Sequence, residues 1–323
     1  MLIEVSKDIY RRHFSSDPNP YISEDFISLV ENKTDKVVRL MDSNDASMGL
    51  IGGLKDNYLC APFSAPFGGL HYTHEHLSYE VVYDFIAGLK EFLREHGIHK
   101  ITITLPPDPY QSNMNAKCIN AFIRLGFKLL TPEIINWIDL KKFDGNWVKY
   151  TVAQNCRKAI KNNLSFHVVT DKQSINEVYM IIFRNREVQG RKIHMTLNDI
   201  VKVNTVMPVD FFLIKDQNDE SMGAGVFYRG HEKIAQGVFV GDDLDNRSLG
   251  IMDLLYSSIY DYYKKMDYDF IDLGSSGLNG EPNIGLLRFK EIHNCAASLK
   301  YTFSWSTQDE LNATNSENYA TKT

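Results

Sequence analysis

Two stretches of this chain carry residue types that could do chemistry. The first is FVGDDLDNRSLG, residues 239–250, where a strand-like run passes through a short polar turn into a helix. The first turn of a helix has backbone N–H groups without partners and a partial positive charge, so it is a ready anion site. Gly250 would let a ligand approach the backbone there, and Arg247 and Ser248, followed by Leu249, would add donors. A diphosphate or a carboxylate would suit such a place. Asp242, Asp243 and Asp245 oppose it unless they cap the turn or face away. The second stretch is CAPFSAPFGGLHYTHEHL, residues 60–77, with His71, His74 and His76. Three imidazoles can hold zinc. The helical i, i+4 pair of HExxH is missing, however, so the spacing points away from a metal and none is expected.

The elements that must position these residues follow from hydrophobic periodicity. In the second half, helical spacing runs through Ile175, Val178, Tyr179, Ile182 and Phe183, and Thr196 can cap a second short helix. Strand-like runs follow at 209–214, 222–228 and 232–240. A long helix has Ile251, Leu254, Leu255, Ile259 and Tyr262 on one face. Next come a strand at 268–274, a Gly-rich loop, a short helix around IGLLRFKEI and a last strand, SLKYTFSW. The first half repeats that order. It has strands at 36–42, 48–54 and 57–63, and a helix capped by Ser78 with Val82, Phe85, Ile86, Leu89 and Leu93 on one face. A strand at 100–106, a helix stopped by Gly126 and a strand over 128–140 complete it. Both halves therefore read β-β-β-α-β-α-β, without residue-level identity. The expected division is a first domain over 1–145, a second over 146–305 and a polar tail over 306–323. The join lies near a basic helix carrying Arg157, Lys158 and Lys161.

Composition bounds the function. The 323 residues carry a formal net charge of −6, unlike a generally basic nucleic-acid binder. Cys60, Cys118, Cys156 and Cys295 form no CxxC pair and read as free thiols in a reducing compartment. The N-terminal residues show no apolar signal-peptide core, and no apolar run is long enough to span a membrane. A cytoplasmic protein without a membrane span is expected.

Several motifs carry a family resemblance. Arg247-x-x-Gly250-x-Met252 resembles the R/Q-x-x-G-x-G/A motif of GNAT N-acetyltransferases, with Met252 departing from the small third residue. Residues 155–169, NCRKAIKNNLSFHVV, resemble the basic helix and strand that open the second domain of FemAB-like peptidyltransferases. YDFIDLGSSG at 268–277 resembles their yDfgGs strand and loop, and GLLRFKEIHN at 285–294 their gl-FK-gFG segment. APFSAPFGGL is similar to their sP-sp-GG loop. Ile292, His293 and Asn294 depart from the last motif.

The resemblance implies an α/β (α+β) fold of two tandem GNAT-like domains, each a mixed, mostly antiparallel sheet flanked by helices. It implies acyl transfer to an amine of a sugar, peptide or cell-envelope precursor; acyl-CoA is the expected donor and aminoacyl-tRNA the alternative, since the long coiled-coil arm that some Fem proteins carry for tRNA is not seen in the sequence. Backbone at Gly237, Val238, Phe239, Val240 and Gly241 would line the donor's arm, with Arg247, Ser248, Leu249 and Gly250 on its phosphates. Lys290 would stabilise developing negative charge, and Asp272 and His293 are candidates for accepting a proton. The first half would be a degenerate repeat facing the acceptor. There Pro66, Phe67, Gly68 and Gly69 would shape the acceptor pocket and His71 or Tyr72 would touch the ligand. Arg157 would meet a phosphate-bearing acceptor, unless it is a solvated helix face. Two other readings stay open: a binding protein that keeps the fold without catalysis, and a zinc hydrolase built on the histidine loop.

Overall fold

The computed structural model describes residues 1–14 and 19–310. The expected tail, 306–323, lies mostly outside them. In chain order, a first group comprises β1 (Leu2–Glu4), α1 (Lys7–His13), α2 (Glu24–Val30), β2 (Lys36–Asp42), β3 (Met48–Lys55) and β4 (Tyr58–Ala61). It continues with β5 (Leu70–Tyr72), α3 (Tyr79–Glu95), β6 (Lys100–Thr104), α4 (Asp108–Arg124) and β7 (Lys128–Leu129). A second group begins with β8 (Glu133–Asp139), α5 (Tyr150–Lys161), β9 (Ser165–Val169), α6 (Lys172–Val188), α7 (Leu197–Val203), β10 (Val209–Lys215), β11 (Ser221–Tyr228) and β12 (Ile234–Asp242). It ends with α8 (Ile251–Lys265), β13 (Phe270–Ser275), the hairpin β14 (Gly277–Leu278) and β15 (Glu281–Pro282), α9 (Ile284–Ile292) and β16 (Ala296–Lys300). Last is β17 (Thr302–Ser306).

The first sheet has the order β1-β2-β3-β4-β6-β17-β7, with β5 on β3. The second runs β16-β8-β13-β12-β11-β10-β9. Both are mixed. β4 and β6 run parallel, joined by α3, and β12 and β13 run parallel, joined by α8. The predicted faces of the crossover helices are the buried ones. Val82, Phe85, Ile86, Leu89 and Leu93 of α3 enter the first core, and Ile251, Leu254, Leu255 and Ile259 of α8 the second. Burial of each such side chain stabilises by about 1.5–3 kcal/mol. Ser78 caps α3 through Val81 N, and Thr196 with Asp199 forms a capping box at α7.

One feature departs from the sequence reading. The strand expected over 128–140 is two strands on different sheets, separated by a segment that includes Pro132, which has no N–H to donate to a ladder. β7 pairs with β17 in the first sheet, while β8 pairs with β13 in the second, Ile138 opposite Ile271. SLKYTFSW divides in the same way. β16 ends the second sheet, and β17 returns to the first, with Phe303 opposite Ile103 and Trp305 opposite Ile101. The compact units are thus 1–133 with the described residues from 299 onward, and 134–298. Alternation identifies a strand but not the sheet it joins, so the boundaries at 145 and 305 did not capture this exchange.

Candidate transfer site in the second unit

The site begins with a defect in a strand. Along β11 and β12, Val226 faces Phe239 and Phe227 faces Gly237, which leaves Val238 as an extra residue. Such a bulge bends the strand that carries it. The parallel pairing of β12 with β13 covers Ile234–Gln236 against Phe270–Asp272 and goes no further. Beyond that point the strands part, and a cavity of about 620 Å³ opens between Gly237–Asp242 and Leu273–Ser275. Helices α6, α8 and α9 supply its walls through Arg186, Asp253, Tyr256, Phe289 and Lys290, among others. Residues Gly237 to Gly241 line this cavity.

Two of the residues expected in the site are buried where the strands part. Asp272 is 2% exposed, and its carboxylate accepts Gly274 N at 2.7 Å and Gln236 Nε2 at 3.1 Å. It thereby ties the end of β13 to β12 and fixes the left-handed turn at Gly274 (φ 71). Asp272 is absent from the cavity lining, and these contacts make it a strut between the two strands. Lys290 is also 2% exposed and does line the cavity. Its Nζ donates to the carbonyls of Leu273, Gly274 and Ser275 at 2.8, 2.9 and 3.3 Å. An ammonium has three donors, and here three consecutive carbonyls take them. Burial lowers the Lys290 pKa to about 8, against the opposing pull of Cys295 and Asp272.

His293 is 0% exposed, inside a cage of Trp147, Tyr256 and Phe289. Its Nδ1 lies 2.7 Å from the carbonyl of Phe289, and its Nε2 lies 3.3 Å from Asp253 Oδ1. His293 does not reach the cavity itself. Asp253 does, and sequence reasoning missed it. The available signal was a carboxylate in the first turn of α8, beside the apolar positions Ile251, Leu254 and Leu255.

The expected anion turn is more closed than its sequence suggests. Residues 247–249 form a 3-10 turn, with Gly250 N donating to Arg247 O and Leu249 N to Asn246 O. The aspartates serve this turn. Asp243 accepts Asp245 N and Asn246 Nδ2, while buried Asp242 pairs with Arg247 at 3.1 Å. The Arg247 side chain is 56% exposed and lines the cavity, whereas Ser248 and Leu249 do not. Lys158 of α5 donates to Ser248 O. Gly250 has φ 81, and a Cβ on it would lie 2.5 Å from the carbonyl oxygen of Asn155. Its missing side chain accommodates α5, so that space is not open to a ligand. Gly250→Ala is expected to lower stability by about 2 kcal/mol or more, through left-handed strain and the backbone clash. An unchanged urea midpoint would contradict this.

The remaining expected contacts lie elsewhere. Arg157 sits over the ring of Tyr150 at 5.1 Å and does not line the cavity. The histidine loop packs into the first unit. Phe67 is buried against Tyr21 and Tyr110, Gly68 N donates to Thr104 O, and Ile51 N donates to Gly69 O. Tyr72 is buried with its hydroxyl on Gln111, and Pro66 is exposed. His71 is 1% exposed, stacked on Phe14 and bonded through Nδ1 to Tyr10 at 2.7 Å, so its ring presents no face to a ligand. His74 and His76 are exposed, and no group of metal-ligating side chains occurs among the described residues.

Burial lowers the His71 pKa from 6.5 to about 3. The unfolded chain therefore takes a proton below pH 6.5 that the folded chain refuses. Stability falls by about 1.4 kcal/mol per pH unit from there down to the folded value. At about pH 5 the expected loss is ~2 kcal/mol. Urea unfolding of the wild type and His71→Gln across this range should differ in slope by one proton.

No protein-family model and no curated protein matches the chain. Solved structures do match. The crystal structure of FemX has a TM-score of 0.68 at 10% identity, covering 96% of this chain and 98% of that one. The structure of L-PGS from Bacillus licheniformis gives 0.59 at 12% identity, covering 92% and 94%. A tandem GNAT protein from the clavulanic acid biosynthesis pathway gives 0.57 at 11% identity, covering 95% and 98%. Among the described residues no helix is long and apolar enough to cross a membrane. With two mixed sheets flanked by helices, and a bent strand parting from its parallel neighbour in the second, the chain has the FemAB-like tandem GNAT fold.

Proposed function

We propose that the protein is an acyl- or aminoacyltransferase that carries a group from an activated ester or thioester to an amine. The observation that carries this reading is the cavity between β12 and β13, with the Lys290 ammonium at its wall. An acyl arm laid along Gly237–Gly241 would meet backbone groups that no longer pair with β13. Its carbonyl would then come under the field of a desolvated cation, where charge developing on oxygen is stabilised most.

The donor we favour is an aminoacyl ester such as aminoacyl-tRNA over acyl-CoA. The N–H groups of Leu249 and Gly250 are engaged inside the 3-10 turn, and Asn155 fills the approach to Gly250. A diphosphate finds less backbone there than the R-x-x-G spacing offers. Cations remain. Arg186 stands over Phe239 at 5.5 Å, burial and neighbouring Arg191 lower its pKa, and both line the cavity with Arg247. Guanidinium groups suit phosphates of any carrier. The second unit, which holds the cavity and these cations, is thus assigned to the donor. The acceptor class is an amine on a sugar, peptide or cell-envelope precursor. Cytoplasmic work on such precursors fits the free cysteines. The cavity supports this reading over one in which the donor site has been lost.

The test is donor consumption. Radiolabelled aminoacyl-tRNA and acetyl-CoA would each be offered with an amine-bearing precursor pool, to wild type and to Arg247→Glu. Transfer from the aminoacyl ester, weakened in the variant, is expected. Consumption of neither donor would sink the reading, and acetyl-CoA turnover alone would reverse the donor preference.

A further inference from the structure

The buried contact between Asp253 and His293 is not satisfied as it stands. The Phe289 carbonyl can only accept, so Nδ1 of His293 carries the hydrogen between them. In a neutral ring Nε2 is then a bare lone pair. That atom has no hydrogen-bond partner, yet it lies 3.3 Å from Oδ1 of Asp253, within ion-pair reach. The carboxylate is held in this aspect by Asn155, whose Nδ2 donates to the other oxygen, Oδ2, at 3.2 Å. Two acceptor atoms therefore face one another in an apolar cage. One proton between them would satisfy both, whereas an unpaired buried polar atom is costly.

We propose that Asp253 and His293 form a single-proton acceptor in the cavity wall. Asp253 is the catalytic group that takes the proton of the acceptor amine, and His293 behind it is a positioning residue. This rests on the transfer reading above. The amine nitrogen bonds to the acyl carbon and the carbon–oxygen bond to the carrier breaks. The nitrogen's proton passes to Asp253 Oδ1, is bonded there by Nε2 of His293, and is returned to the leaving oxygen. Atoms and charge balance without a further reagent. The surrounding titratable groups do not compete. Cys156 of α5 and Cys295 beyond α9 are both pushed up to about 11 by burial, and Tyr256 of α8 is pushed up as well. Lys290, at about 8, is already protonated at neutral pH.

The experiment has two arms on the full chain. In the first, histidine-labelled 15N spectra are followed over about pH 5 to 9 for wild type, Asp253→Asn and His293→Gln. The signal lost in His293→Gln is expected to show the Nδ1–H form, and its Nε2 shift is expected to change in Asp253→Asn. A signal indifferent to Asp253→Asn, or an Nε2–H form throughout, overturns the pair. In the second arm, transfer from aminoacyl-tRNA is measured against pH. Asp253→Asn should lose about 10²-fold or more in kcat with donor KM little changed. His293→Gln should lose less and shift the acidic limb, and Asp253→Glu should recover part of the rate. A wild-type rate and pH profile in Asp253→Asn overturns the catalytic assignment. Should wild type consume neither donor, the transfer reading and that assignment fall together, while the first arm still decides the shared proton.

Discussion

Lys290→Met is expected to lower transfer by about 10²-fold or more while the protein stays folded. Two stability effects oppose one another in this variant. The wild-type ammonium is buried with its pKa reduced from 10.5 to about 8, a difference equivalent to ~3 kcal/mol at neutral pH. Methionine removes that penalty. It also leaves the carbonyls of Leu273, Gly274 and Ser275 without their donor, at about 1–3 kcal/mol each and less than additively. The carbonyls outweigh the charge, and a net loss of about 1–3 kcal/mol at pH 7 is expected. The sign of the pH dependence separates the two. Between the folded value near 8 and the unfolded value of 10.5, the unfolded chain holds a proton that the folded chain has released. Wild-type stability therefore gains from Lys290 as pH rises through that window, and Lys290→Met lacks the gain. Urea midpoints of both proteins at about pH 7 and pH 10 measure it. Identical pH responses would mean that Lys290 is not the desolvated cation described, and undiminished transfer would remove it from the chemistry.

Ending the chain after Lys300, where β16 ends, is expected to unfold residues 1–133 and spare the second sheet. β17 lies between β6 and β7, and its Phe303 and Trp305 are fully buried in the first core. Losing one buried aromatic costs about 3–5 kcal/mol. Two, together with the ladders to β6 and β7, approach the whole stability of an ordinary domain, about 5–15 kcal/mol. Limited proteolysis with mass mapping reads the outcome: cleavage should spread through 1–133 and stay sparse in 134–298. Native protection of 1–133 without β17 would refute the account. Trp305→Ala is the milder form, with an expected loss of about 3–5 kcal/mol.

Much of this architecture was legible because local rules and tertiary packing agree. The α3 and α8 faces, the caps at Ser78 and Thr196, and the repeated element order all follow from spacing and side-chain type. The strand exchange was not legible. Glu133–Asp139 and Thr302–Ser306 alternate as any half-buried strand does, and nothing in their own residues names a partner. In the candidate site, Gly237–Gly241 and Lys290 came from the resemblance and do line the cavity. Gly250 misled because a glycine that admits a ligand and one that admits a neighbouring carbonyl leave the same letter. His71 misled likewise, since a buried ring and a ligand contact are indistinguishable until Tyr10 and Phe14 are placed around it. Asp253 escaped notice because a carboxylate in a helix's first turn is usually explained by the helix alone.

The exchanged strand also sets a timetable for synthesis. β6 and β7 leave the ribosome first, but the strand that belongs between them follows only after the whole of the second unit. At ordinary elongation rates the whole of 134–298 is translated in the interval, on the order of ten seconds or more. Throughout it β6 has one edge without its neighbour, the kind of edge that recruits foreign strands. The second unit is contiguous and can complete itself during this wait, whereas the first must be kept from aggregating until β17 arrives. Crowded or fast expression should therefore harm the residues made first, although they are the ones given the longest time to fold.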